Sequence, residues 1–171
     1  CKTFEDMASA KQISLDFITE KQTIDLWIDP RNFDKIIVNL VSNALKFTQE
    51  KGHVEVLLRT VDDNNAVEPL NQYAEIIISD DGIKIDENEK EHIFERFYQI
   101  RNSQNNSNVG TGIGLHLTRS LVELHHGTIQ VENNLEKGCR FIIRIPMGCK
   151  HLNPDEIIDE EQPFEIPNRR E

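Results

Sequence analysis

Three short stretches carry side chains suited to holding a phosphorylated ligand and a metal. The first is Asn39, Asn43 and Lys46. On a helix advancing about 100° per residue they fall within a sector of roughly 60°. An Asn oxygen is a neutral, hard ligand suited to Mg2+, which keeps several waters and shares phosphate oxygens. A Lys supplies a point charge for phosphate. The second stretch is Asp80-Asp81-Gly82, directly after the apolar run Ile76-Ile77-Ile78. A carboxylate at a strand end accepts hydrogen bonds from a base's exocyclic amine, and the glycine permits close approach or a positive φ. The third is Gly110–Leu115 (GTGIGL), where a polar loop meets a helix start. Unpaired amides and the helix dipole favour phosphate there. Each stretch alone also fits a plainer role: a solvated helix face, an Asp-Gly turn and a flexible hinge.

The elements that must position these groups follow from periodicity and punctuation. Asp29-Pro30 marks a helix start, with Asp29 as N-cap and Pro30 at the first helical position. Phe33, Ile36, Ile37, Leu40, Val41, Ala44 and Leu45 repeat at i, i+3, i+4 and i+7, predicting a helix to about Thr48. The polar triad lies on its opposite face. Strands are expected at 11–18, 24–28, 53–61, 74–79, 128–133 and 139–146, the last with Phe141, Ile143 and Ile145 inward. Asp86 with Glu89 reads as an N-cap pair opening a helix through about Phe94. Residues 98–112 are rich in Asn, Ser and Gly and read as a mobile loop. A second helix is expected from Ile113 to Leu124, burying Ile113, Leu117, Leu121 and Leu124, with Gly127 at its C′ position. The order is not a strict βαβ alternation, so an α+β sandwich is expected. Residues 1–149 form the expected domain, and 150–171, with seven acidic residues and three prolines, an acidic linker or tail.

In this order the stretches resemble the boxes of the histidine kinase ATP-binding domains, which are similar in fold to the ATPase domains of gyrase and the MutL repair proteins. Asn39–Thr48 (NLVSNALKFT) resembles the N box, Asp80–Ile85 (DDGIKI) stands in place of the G1 box, and Ile93–Tyr98 (IFERFY) resembles the F box. Gly110–Leu115 resembles the G2 box, and Gly138–Phe141 (GCRF) stands at the last glycine-containing box. The resemblance covers about residues 11–147. It implies a two-layer α+β sandwich, a mixed β-sheet against about three helices, with ATP held between the layers under a lid formed by residues 98–112.

The same resemblance implies ATP and Mg2+ as cofactors. Asn43 would ligate Mg2+, Asn39 would bond near the phosphates or metal waters, Lys46 would contact phosphate and Phe47 would flank the nucleotide. Asp80 would bind the adenine amine, with Gly82, Ile85 and Phe94 also in the ATP-binding set. Gly110, Thr111, Gly112, Ile113, Gly114 and Leu115 belong to it as the G2 box, and Arg96 or Arg101 would reach the phosphates. Two positions depart from the family pattern. Lys84 stands at the second G1 glycine, which is costly wherever a positive φ is needed and otherwise adds a cation at the pocket edge. Cys139-Arg140 stands where the family carries Thr or Ser, and a thiol is the poorer donor.

The function so implied is binding of Mg-ATP and donation of its γ-phosphoryl group to a histidine on a separate dimerisation domain of a two-component sensor kinase. The family's acceptor lies in a His-Glu-x-x-Thr-Pro context, which His53, His92, His116, His125, His126 and His151 all lack. No catalytic residue is assigned within the chain. The implied partners are the dimerisation and phosphoacceptor domain of the same parent and a response regulator receiver domain, fused or free. The alternatives are a serine kinase of the anti-sigma type and a degenerate module that binds partners without turnover.

Composition narrows the classes further. The 171 residues suit one domain, and the net charge of −11 argues against nucleic acid, which is bound through clustered Lys and Arg. Cys1, Cys139 and Cys149 are too scattered for a disulfide framework or zinc ribbon. No apolar run approaches the ~20 residues of a membrane span, so a cytoplasmic segment without membrane contact is expected. The opening at Cys1 points to a piece of a longer product, whose sensor or membrane region would lie outside it.

Overall fold

The computed structural model describes residues 2–21, 23–63, 71–100 and 111–157. Asp29 starts the longest helix as the sequence predicts. Its Oδ1 accepts from the amides of Arg31 (2.9 Å) and Asn32 (3.2 Å), satisfying donors that the first helical turn leaves free. Counting the helix Lys2–Ala10 as α1, this one is α2, Pro30–Phe47. It buries Ile36, Leu40, Val41, Ala44 and Leu45. A fully buried aliphatic side chain contributes about 1.5–3 kcal/mol, so this stripe docks the helix.

The strands are β1 (Ser14–Thr19), β2 (His53–Asp62), β3 (Gln72–Asp80), β4 (Thr128–Asn133) and β5 (Cys139–Pro146), with α3 (Gly114–Leu124) before β4. They form one mixed sheet in the order β1-β2-β3-β5-β4, in which β1 and β2 are parallel and the other pairs antiparallel. Val56, Ile78, Phe141 and Val131 pair across it in one row, all buried against the helical layer. Strand alternation carries that face on to Asp80, two residues after Ile78, so the carboxylate arrives at the sheet end pointing inward. The α+β sandwich expected from the sequence is what the chain adopts, with three α-helices among the described residues.

Several elements differ from expectation. The first strand begins at Ser14, after α1, whose Phe4 and Ala8 enter the core. Residues 24–28 join no sheet, although Leu26 and Ile28 pack against the core. The helix expected from Asp86 is two 3-10 turns, Glu87–Glu89 and His92–Phe94. Asp86 makes no side-chain cap, and only Ile93 and Phe94 are buried in these turns, too few to anchor a longer helix.

Of the stripe expected on α3, only Leu121 is buried. Thr118, Leu121 and Val122 are buried, while Ile113, Leu117 and Leu124 are exposed. Polar contacts choose this face: Thr118 receives Asn39 of α2, and buried His125 receives the Asp29 amide at 3.0 Å through Nε2 while its Nδ1 bonds the Leu121 carbonyl at 2.7 Å. At the end of α3 the C′ position is His126, not Gly127. His126 has φ +57°, its amide donates to Glu123 O (2.9 Å), and the Gly127 amide donates to Val122 O (3.0 Å). Gly127 serves packing instead, since a Cβ there would lie 2.5 Å from the Arg144 carbonyl oxygen.

Of the expected tail, residues 150–157 are described and 158–171 lie outside the described residues. His126 Nε2 lies 3.3 Å from Glu156 Oε1, and His126 stacks edge-on with His151. Among the described residues no helix is long and apolar enough to cross a membrane.

Candidate functional site

The polar face of α2 is not solvated throughout. Asn39 Nδ2 donates to Thr118 Oγ1 at 2.8 Å, and its Oδ1 faces Gly114, where a Cβ would approach to 2.5 Å. Glycine at the first position of α3 therefore lets the two helices meet at this amide. One turn further on, Asn43 is half-buried, and its amide has no hydrogen-bond partner among the described residues. Lys46 is half-buried with its ammonium 5.3 Å from the ring centre of Phe47, itself 45% exposed.

The C-terminus of α2 is closed by a residue that the sequence did not reveal. Lys11 Nζ donates to the carbonyls of Leu45 (2.8 Å), Lys46 (2.8 Å) and Thr48 (3.2 Å). A cation on these unpaired carbonyls also meets the negative end of the helix dipole. No local pattern marks Lys11, because its partners lie a helix away in sequence.

Asp80 is 5% exposed. Its Oδ1 accepts from the Gly82 amide at 2.9 Å and its Oδ2 from the Cys139 thiol at 3.4 Å. Burial pushes its pKa above the usual carboxylate value, against the pull of those two donors. The Cys139 thiol is pushed strongly upward, by burial first and then by the Asp80 charge, so it is held as a neutral donor. Gly82 closes the loop against α2: a Cβ there would stand 2.6 Å from the Phe47 carbonyl oxygen. Asp81 faces away from this pair, accepting from the His53 amide (2.9 Å) and pairing with Lys137 (2.9 Å).

Lys84 avoids the cost foreseen at a glycine position. It does not have a positive φ, and its ammonium donates to the Leu135 carbonyl at 2.8 Å. Ile85 is buried and bonded at both its amide and its carbonyl to the Asn133 side chain.

The structure brings most of the candidates into one neighbourhood. Asp80, Gly82 and Phe47 are linked by contact, α2 carries Lys46, Asn43 and Asn39, and Asn39 reaches Gly114. Gly112, with φ +68°, accepts from the Phe97 amide at 2.8 Å. Thr111 and Ile113 are exposed and Leu115 is partly buried against the core. Phe94 and Arg96 adjoin the start of α3, Arg96 next to Phe97 and the Phe94 carbonyl oxygen 3.2 Å from His116 Nδ1. They line a surface cleft of about 450 Å3 with His116 and Arg119 of α3. Phe94 packs edge-to-face on Phe141, and the Arg96 guanidinium lies 4.8 Å from the Phe97 ring. Gly110 and Arg101, with residues 102–109 of the expected lid, fall outside the described residues. A cavity of about 440 Å3 lined by Phe17, Leu26, Phe33 and Leu58 contains none of the candidates.

Residues 28–148 match the family of histidine kinase-, DNA gyrase B- and HSP90-like ATPases. The chain is similar to hybrid signal transduction histidine kinase D of Dictyostelium discoideum, 35% identical over 160 residues that make up 92% of this chain and 10% of that protein. It is similar to sensor histidine kinase YclK of Bacillus subtilis (strain 168), 36% identical over 149 residues, 85% of this chain and 29% of that protein. Among solved structures it resembles the nucleotide-free catalytic domain of histidine kinase ThkA, with TM-score 0.69 and 27% identity over 85% of this chain and 87% of that one. It also resembles histidine kinase ThkA in complex with response regulator protein TrrA, with TM-score 0.68 and 25% identity, covering 88% of this chain and 39% of that one. This chain spans 10% of the first relative's length and 29% of the second's.

Proposed function

Since the chain belongs to the family of histidine kinase-, DNA gyrase B- and HSP90-like ATPases, and is a histidine kinase-type ATPase domain of two-component kinases, we propose that it binds Mg-ATP and donates the γ-phosphoryl group to a histidine on a separate dimerisation domain. The observation that carries this reading is the buried Asp80 carboxylate at the inner end of β3, joined through Gly82 and Phe47 to the helix face bearing Lys46, Asn43 and Asn39. Asp80 reads the adenine amine. Lys46 contacts phosphate, and Phe47 flanks the nucleotide. The amides at the start of α3, from Gly112 to Leu115, face the phosphates.

The donor set fits a magnesium ion. Asn43 offers an uncommitted amide oxygen, and Asn39 keeps its Oδ1 while its nitrogen is engaged by Thr118. Among the described residues no three His, Cys or acidic side chains gather into a cage. A single amide oxygen suits Mg2+, which keeps several waters and shares phosphate oxygens. Bound there, Mg2+ would neutralise charge on the phosphates during transfer. The protein's own part is to bind and orient, because phosphoryl transfer needs positioning and charge stabilisation more than covalent chemistry. The acceptor histidine and a response regulator would be supplied by the parent protein and its partner.

Calorimetry with ATP and GTP, with and without Mg2+, tests the site. Mg-dependent binding that favours ATP is expected. Equal affinity for the two nucleotides, or no binding of either at millimolar concentration, overturns it. Radiolabelled ATP tests the transfer: the purified chain stays unlabelled, and the parent's dimerisation hairpin added in trans acquires acid-labile label. Acid-labile label on the chain itself would contradict the assignment of the acceptor to another domain.

A further inference from the structure

The end of β3 that carries Asp80 is gripped by the tip of the β4–β5 hairpin. Asn134 lies at the centre of that grip. Its Nδ2 is 2.7 Å from the Asp80 carbonyl oxygen, 3.1 Å from Ser79 Oγ and 3.3 Å from the Cys139 carbonyl oxygen. Carbonyls only accept, so it is the nitrogen of this amide that must face them. One nitrogen thus ties the main chain of Asp80 to the main chain of Cys139, the residue whose thiol donates to Asp80 Oδ2.

Five neighbouring contacts reinforce it. The Ile85 amide donates to Asn133 Oδ1 (2.9 Å), and Asn133 Nδ2 donates back to the Ile85 carbonyl (2.8 Å), so a side chain completes a two-way rung such as a strand would make. Lys84 reaches the Leu135 carbonyl, and Lys137 pairs with Asp81. Gly138, at φ +76°, lies against the Asp80 carbonyl so closely that a Cβ could not be accommodated.

We infer that the hairpin tip, acting chiefly through Asn134, is a positioning device for nucleobase discrimination, setting the aim of the Asp80 carboxylate. This rests on the adenine site proposed above. Asn134 touches neither sugar nor phosphate groups on that reading. Hydrogen bonds weaken steeply with misalignment. A small rotation at the end of β3 would therefore cost the contact to the base amine and leave the phosphate contacts intact.

The test compares ATP with inosine triphosphate, which has the same sugar and phosphates and carries an oxygen in place of the adenine amine. The unaltered protein should prefer ATP by about tenfold or more, the worth of a hydrogen bond to a charged group. Asn134→Ala should lower ATP affinity about tenfold, leave inosine triphosphate within about twofold, and so abolish the preference. Equal losses for both nucleotides, as a merely structural role would give, overturn the inference. So does an undiminished preference. If Asn134→Ala does not fold, Lys84→Ala carries the test from an exposed position. Its preference should fall by about threefold, a partial loss of one hydrogen-bonded link, and an unchanged preference overturns the inference. Failure of the underlying site looks different: the unaltered protein would show no preference and Asp80→Asn would change nothing, which removes the adenine reading and this inference with it.

Discussion

Asp80 is held at a cost to the fold. A carboxyl whose pKa is raised by burial makes the folded state less stable once ionised. That penalty is present above its folded pKa and relieved as pH falls toward the unfolded value. Asp80→Asn keeps an oxygen for the Gly82 amide and removes the buried charge. We expect a higher Tm than the unaltered protein at neutral pH, the gap closing in acid, together with a fall of about one to two decades in ATP affinity. Thermal melts across pH and a nucleotide titration check both halves; a lower Tm at neutral pH would show that the ionised carboxylate stabilises the fold. Asp80 was legible in the sequence because alternation from Ile76 and Ile78 puts it on the core face before an Asp-Gly turn. Asn133 and Asn134 were not, since an asparagine pair at a strand end fits an ordinary turn and their partners lie far back in the chain. Lys84 was legible only as a departure, and its carbonyl partner could not be foreseen.

At the scale of elements, α2 was readable because three signals agree: the Asp29-Pro30 start, a sustained apolar stripe and a polar face. In α3 the signals conflict. Ile113, Leu117, Leu121 and Leu124 make a plausible apolar stripe, but Thr118 and His125 have hydrogen-bond partners on α2 and its N-cap, so the helix turns that side inward. Hydrophobic periodicity does not register such bonds. The join between α1 and α2 was equally hidden. Because Lys11 satisfies three carbonyls just where Lys46 and Phe47 project, it couples the position of α1 to the end of the proposed nucleotide-binding helix. Lys11→Met keeps the length of the stem and removes the donors. We expect a loss of about 1–2 kcal/mol in urea unfolding and faster amide exchange in the last turn of α2. An unchanged exchange pattern would mean that water replaces the lysine without loss.

Over the whole molecule, the order of motifs made the sandwich legible, whereas the register that locks the sheet was not. Glu75 of β3 stands opposite Arg59 of β2 and Arg144 of β5. It is 1% exposed, and both its oxygens are engaged: Oε1 by Arg59 Nε (2.8 Å) and Nη2 (2.6 Å), Oε2 by Arg144 Nε (2.7 Å). Two consecutive strands and a third from far along the chain meet at this carboxylate, and nothing local in the sequence announces it. Burial pushes its pKa up, but the two guanidiniums outweigh burial and hold it below the usual glutamate value of 4.5. The sign is therefore opposite to that of Asp80. Stability from Glu75 is present in full above its unfolded pKa and is lost as pH falls through the lower folded one. The flanking guanidiniums are 38% and 46% exposed and can rehydrate when orphaned, so Glu75→Gln should cost about 3 kcal/mol at neutral pH, the lower end for breaking a buried pair. Urea unfolding at a series of pH values should show that deficit shrinking in acid, as the unaltered protein loses the same bonds, and so a flatter acid limb for the variant. Asp80→Asn should steepen that limb. Glu75→Gln should leave the preference for ATP over inosine triphosphate untouched, because its bonds are made to Arg59 and Arg144 and not to the Asp80 loop. Parallel acid limbs for Glu75→Gln and the unaltered protein would mean that the carboxylate is not bound more tightly in the folded state, and that the two arginines secure the sheet by packing alone.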